Sequence, residues 1–187
     1  MIKICTKEDI DELIRVLLQS YRENYLYLWY DGGEAYMQAS FGADRLTGEL
    51  ADPNAVFFMV YDGTQPVGVI KLNIDSPLYN YPAGTTLELE RIYFVKEASG
   101  KGLGTAAINF ITNFAREKNK SIIWLKAMDS SAAVGFYKNR GFRITGETWL
   151  SYPAMKEEYR RMVIMVLDLS GSSEPGSGAA GGVRDTQ

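Results

Sequence analysis

The sequence predicts a mixed α/β (α+β) fold in one domain, with about seven strands and about four helices. Three observations carry this reading. Segments of alternating or β-branched and aromatic residues are interleaved with segments whose apolar residues recur at helical spacing. One stretch, LELERIYFVKEASGKGLGTAAINFITNFA from Leu87 to Ala115, reads as strand, glycine turn and helix. A chain of 187 residues is also long enough to bury one core without a second domain.

The elements follow in order. Met1 to Cys5 alternates as a short strand, and Thr6 with Asp9 looks like a capping box. It opens a helix whose apolar stripe is Ile10, Leu13, Ile14, Leu17, Leu18 and Tyr21. Tyr25, Tyr27, Trp29, Tyr30 and Tyr36 then crowd a glycine-broken stretch that suits a lid packed on a sheet. Phe41 to Leu50 reads as helical and ends at Asp52-Pro53-Asn54. Ala55 to Tyr61 and Val67 to Ile74 are strands of a hairpin turned by Asp62-Gly63-Thr64-Gln65. After a loop from Ser76 to Thr86 comes the central strand, Leu87 to Val95. From Leu103 the apolar spacing is helical. Ser121 to Met128 is a strand, and Ser130 to Arg140 a short helix stopped by Gly141 as a C-cap. Phe142 to Leu150 and Arg161 to Leu169 complete the sheet. The domain is thus 1–169, and 170–187 is expected to be a flexible Gly/Ser-rich tail with no apolar run to offset the entropy of ordering.

Composition removes several functions. A net charge of −3 without a block of Lys and Arg argues against nucleic acid as a partner. The chain has one cysteine, Cys5, and no histidine. Ser-His-Asp and Cys-His catalysis and His-containing metal sites are therefore excluded, which leaves Glu, Asp, Tyr, Lys or water to move protons. No metal is expected. With no secretory segment and no run of 18 apolar residues, the reading is a soluble, cytoplasmic protein without a membrane partner. A homodimer is left open.

Gly100, Gly102 and Gly104 fall at the start of the helix that begins near Leu103. Backbone N–H groups there lack intrahelical partners and sit at the positive end of the macrodipole, so a phosphate can approach a bare backbone. Glycines also cap helices for steric reasons alone. The spacing is not a P-loop, because Gly104 precedes Thr105 rather than lysine, and it is too compact for a dinucleotide fingerprint.

The run RIYFVKEASGKGLG resembles motif A of the GNAT superfamily of N-acetyltransferases, a strand followed by [QR]-x-x-G-x-[GA]. Ser99 stands at the Arg/Gln position, and Gly102 and Gly104 match. SSAAVGFYKNRGF resembles motif B, N-x-x-A-x-x-x-Y-x-x-x-G-F, with Ser130 in place of asparagine. The resemblance implies a mostly antiparallel sheet in which strands four and five splay apart and receive the pantetheine arm of acetyl-CoA as a co-substrate. It implies that Ile92, Tyr93 and Phe94 face pantetheine and acetyl group, and that a backbone N–H near Ile92 or Tyr93 polarises the thioester. Ser99, Gly100, Lys101, Gly102, Leu103, Gly104 and Thr105 would hold the diphosphate, with Ser130 at a further cofactor position. Tyr137, at the motif B tyrosine, is the implied acid, and it also reads as a core residue beside Phe136. Glu88 and Glu90 share one strand face and are the candidate bases. The same placement lets them pair with Arg91 or Arg161. The segment between the first helices would wall the acceptor site, with Asp31, Glu34 and Asp44 as acids.

Within the superfamily the chain is most similar to bacterial PaiA-type polyamine acetyltransferases, which implies a small primary amine such as spermidine as acceptor. Three alternatives stand beside it: an acyl-CoA sensor without catalysis, an acetyltransferase for an amino acid or protein N-terminus, and a nucleoside-triphosphate-dependent transferase.

Overall fold

The computed structural model describes residues 1–171, and the expected tail from 172 to 187 lies outside the described residues. Strands β1 (Ile2–Ile4), β2 (Ala55–Asp62), β3 (Gln65–Asn73), β4 (Thr86–Phe94), β5 (Ile122–Met128), β6 (Arg143–Trp149) and β7 (Arg161–Asp168) form one sheet. Their order is β1-β2-β3-β4-β5-β7-β6. Every neighbouring pair is antiparallel except β4 and β5.

Helices cover both faces. On one side, α4 (Leu103–Glu117) and α5 (Ala133–Lys138) bury Ala107, Ile108, Ile111 and Tyr137 against Ile70, Leu87 and Met165. On the other, α1 (Ile10–Asn24), α2 (Glu34–Phe41) and α3 (Ala43–Ala51) bury Leu13, Leu17, Met37 and Leu46 against Phe57, Met59 and Val69.

The local signals explain most boundaries. Thr6 N–H donates to Asp9 Oδ2 at 2.8 Å just before α1. Gly141, with φ 88°, closes the α5 segment as a left-handed stop. The aromatic stretch contains a helix, α2, that the residue pattern did not reveal. Its sequence, EAYMQASF, has no clear polar face, so periodicity is silent there. Gly33, at φ 78°, starts α2, and Gly42 separates it from α3.

One irregularity in β4 positions the rest. Lys71 of β3 faces Arg91 while Leu72 faces Leu89, so Glu90 is an extra residue on β4. A bulge of this kind switches the alternation of side chains. Before it, Leu87 and Leu89 point to the α4 side; after it, Ile92 and Phe94 do. Glu90 and Arg91 consequently share the α3 side, where both meet partners, and Tyr93 joins the α1–α2 cluster.

Candidate active site

The frame of the site is a gap in the sheet. β4 pairs with β5 only from Thr86↔Ile122 to Leu89↔Leu125, although β4 continues to Phe94 and β5 to Met128. Beyond Leu89 the two strands part, as the family resemblance implies.

Ladder geometry decides which backbone groups face this gap. Val95 N–H donates to Val67 O at 2.9 Å, and Val69↔Tyr93 is the next pair of the same parity. In an antiparallel ladder successive residues alternate their N–H and C=O between the two sides. Tyr93 therefore turns its amide toward β3. Ile92 turns its N–H and C=O into the gap, where no strand partner remains. Phe94 O, also on the gap side, accepts from Asn24 Nδ2 at 3.0 Å.

The end of α1 closes one lip of the gap. Besides Asn24, Glu23 Oε2 accepts from Lys96 N–H at 2.7 Å. Tyr25 places its ring 5.4 Å from that of Tyr93. Tyr137 comes from the opposite face of the sheet. It is buried, 6% exposed, and burial pushes its phenol well above the ordinary tyrosine value, with Tyr25 adding to the effect. Such a phenol keeps its proton throughout the neutral range, so it can donate but not act as a resting base. Burial likewise raises Tyr93, which belongs to a ring cluster with Tyr21, Tyr25, Tyr36 and Phe41. The aromatic stretch is thus core in part and surface in part. Trp29 and Tyr21 are buried and hydrogen-bonded at 2.9 Å, whereas Tyr27 and Tyr30 are exposed.

The glycine turn sits at the mouth of the gap. Gly100 and Gly102 adopt φ 75° and 74°, a region an L side chain enters only with strain, and space around both is open. Among the described residues, the amides of Gly100 to Thr105 have no protein hydrogen-bond partner; the first helical bond here is Ala106 N–H to Gly102 O. These six groups lead into the start of α4, a setting that can accept a phosphate. Gly104 also meets a packing demand. A Cβ there would lie 3.2 Å from the Phe136 ring, so packing between α4 and α5 is close at this position. Gly68 likewise makes room for the Phe94 ring, which lies across β3 rather than in the gap.

Several predicted positions are engaged elsewhere. Lys101 Nζ lies 2.6 Å from Asp62 of the β2–β3 turn, a pairing that raises its pKa. Ser99 and Ser130 are exposed, and it is Ser131 Oγ that accepts from Ala133 N–H at the start of α5. Asp31 turns back to cap Gly33 N–H.

Glu88 and Glu90 are brought together by Asn73, whose Nδ2 donates to each at 2.9 and 2.8 Å. Glu90 also binds Lys71 at 2.7 Å and Arg91 at 3.2 Å, and Glu88 accepts from Ser76 Oγ. Lys71 and Arg91 in turn grip Glu49 of α3. Burial pushes Glu49 up, but Arg91 and Lys71 outweigh it and hold the carboxyl below its ordinary value. This buried network floors an open polar cleft of about 620 Å³ that includes Asp44, Arg45, Asp52 and Asn73 in its lining. The cleft lies on the α3 side of β4, toward the strand's start, away from the glycine turn.

Residue spacing alone did not single out Asn24, Asn73, Glu49 or Arg140. All but the last act through partners distant in the chain. Arg140 carried a local signal: it follows Phe136 by four residues on a helical segment.

A sheet opened between its one parallel pair, with bare helix-start amides at the opening, is the GNAT architecture. The model of the acetyltransferase (GNAT) family matches residues 14–142, and the chain belongs to that family. A relative named an uncharacterized N-acetyltransferase in the pepI 3′ region of Lactobacillus delbrueckii subsp. lactis is 31% identical over 107 residues, 57% of this chain and 62% of its own length. Another from Methanocaldococcus jannaschii is 24% identical over 145 residues, 75% of this chain and 59% of its own. The chain thus spans about three-fifths of these relatives' length. Among solved structures, PaiA N-acetyltransferase from Thermoplasma acidophilum in complex with coenzyme A superposes with a TM-score of 0.70 at 19% identity, covering 90% of this chain and 99% of that one. A probable acetyltransferase from Staphylococcus epidermidis gives 0.71 at 17%, covering 91% and 99%. At these identities the likeness concerns the fold. No helix among the described residues is long and apolar enough to cross a membrane.

Proposed function

We propose that the chain transfers the acetyl group of acetyl-CoA to a primary amine of a small molecule by direct attack in a ternary complex. The observation that carries this reading is the set of unpartnered amides from Gly100 to Thr105 at the mouth of the β4–β5 gap. They fit a diphosphate, and the gap beyond them offers Ile92 N–H and C=O to an extended pantetheine arm in the manner of an added strand.

The residues then divide the work. Ile92 N–H polarises the thioester carbonyl, a contribution worth roughly 3 kcal/mol per donor in acyl-transfer enzymes. The amine attacks the carbonyl carbon, the C–N bond forms, and the C–S bond breaks. Tyr137 supplies the proton to the departing sulfur. Glu90 lies two residues before Ile92, roughly 7 Å along the strand, and Glu88 roughly 13 Å. Neither touches an amine at the thioester directly, so a water ordered by Glu90 and Glu88 carries the amine's proton away.

The α3-side cleft is the acceptor's entry. Its lining carries four carboxylates, Asp44, Glu49, Asp52 and Glu90, against Arg45 and Lys71, and with Arg91 beneath Glu49 and Glu90 a small acidic excess remains that favours a cationic amine. Spermidine is the first acceptor to assay. Thiol release from acetyl-CoA, followed over spermidine, spermine, an amino acid and a peptide N-terminus, tests the reading. Turnover with the polyamines supports it. Turnover only with the amino acid or the peptide rejects the polyamine, and binding of coenzyme A with no turnover of any amine rejects catalysis.

Initial velocities provide a second test, with intersecting lines expected when both substrates are varied. Parallel lines would mean that the acetyl group passes through the protein, contrary to direct attack.

A further inference from the structure

Arg140, just beyond α5, has an environment that the fold alone does not account for. Its Nη1 donates to Phe136 O at 2.9 Å, and its guanidinium lies 3.5 Å from the centre of the Phe136 ring. The carbonyl end of α5 thus explains one of its nitrogens. The other terminal nitrogen, Nη2, donates to Thr105 Oγ1 on the first turn of α4. Nε is buried and has no hydrogen-bond partner. No carboxylate lies within ion-pair distance of Arg140 among the described residues.

The placement is built. Because Gly104 lacks a Cβ, the Phe136 ring rests against the first turn of α4, and the guanidinium stacked on that ring is carried with it. The helix macrodipole disfavours a cation at this end, and an orphaned buried N–H adds to the penalty. The first of these costs is offset when an anion lies there, reached by the remaining N–H groups of Nη1 and Nη2, while Nε stays internal. The Thr105 oxygen already accepts from Arg140, which leaves its own O–H to donate outward. The other charged candidate, Lys101, is committed to Asp62, and Ser99 is neutral.

We propose that Arg140 is the cation that binds a phosphate of coenzyme A at the start of α4, with Thr105 as its hydroxyl companion. The inference rests on the reading of the chain as an acetyl-CoA enzyme and assigns it a residue outside the glycine turn. A guanidinium offers a planar fork to phosphate oxygens, so lysine is not an equivalent.

Calorimetric titration of coenzyme A and 3′-dephospho-coenzyme A into the wild type and Arg140→Gln, at two salt concentrations, tests it. The substitution is expected to weaken coenzyme A about tenfold and to flatten the dependence of affinity on salt, a change that a structural role would not produce. An equal loss with both ligands assigns the contact to the diphosphate, and a smaller loss with the dephospho form assigns it to the 3′-phosphate. Wild-type affinity and salt dependence in Arg140→Gln overturn the proposal while the enzyme reading stands. Failure of the wild type to bind coenzyme A removes both. Should Arg140→Gln not fold, Thr105→Val tests the same contact: severalfold weaker binding supports it, and unchanged binding overturns it.

Discussion

At the scale of single residues, the proposed acid Tyr137 and the buried carboxylate Glu49 make different predictions. Burial lifts the Tyr137 phenol above its ordinary value. A raised folded pKa keeps the proton in place as pH rises, so the acid's contribution should stay flat through pH 9 and beyond the usual tyrosine range. Tyr137→Phe should therefore lower turnover by a similar factor from pH 7 to pH 9 in steady-state assays. An alkaline limb near pH 8 that disappears in the variant would contradict the assignment. Glu49 holds Arg91 and Lys71, both buried. Removing one member of such a network leaves buried charges uncompensated and costs about 3–5 kcal/mol. Glu49→Ala should lower the melting temperature by on the order of 10 °C. The sign with pH follows from its depressed carboxyl. The stability it contributes is present above the unfolded value of 4.5 and is lost as pH falls through the lower folded value. The variant's deficit should accordingly shrink in melting curves taken toward pH 3.

At the scale of elements, the strand, turn and helix from Leu87 to Ala115 were legible in the sequence because each signal is local. Alternation, glycine punctuation and helical spacing all lie within thirty consecutive residues. The bulge at Glu90 was not legible, since it exists only as a mismatch of register with Lys71 and Leu72. Its consequence is functional: without it, Glu90 and Arg91 would lie on opposite faces. Lys101 shows the same limit, because its partner Asp62 is 39 residues away. Spacing also gave no sign of the ring packed beside Gly104, since that ring belongs to α5. Gly102, by contrast, has open space and φ 74°, so its backbone conformation is what matters. Gly102→Val should distort the first turn of α4 and raise the Kd for coenzyme A at least tenfold, with a melting temperature within a few degrees of wild type. Equal affinity would show that the turn's conformation is not what the ligand reads.

At the scale of the whole molecule, the two faces of the sheet open onto each other where β4 and β5 part. α4 and α5 bring the amides and Tyr137 from one side, and α1 to α3 bring Tyr25, Glu49 and the polar cleft from the other. The proposed ternary complex fits this arrangement: on that reading the cofactor and the amine approach from different sides. The linker between β6 and β7 packs on the α1–α2 side: Trp29 bridges to Met155, and Tyr152 packs edge-on against Trp29 and Tyr36. Hydrogen exchange of the full chain with and without coenzyme A tests the central claim most directly. The account predicts strong new protection confined to the amides of Gly100 to Thr105 and to Ile92. Saturating coenzyme A that leaves exchange at those amides unchanged would contradict it.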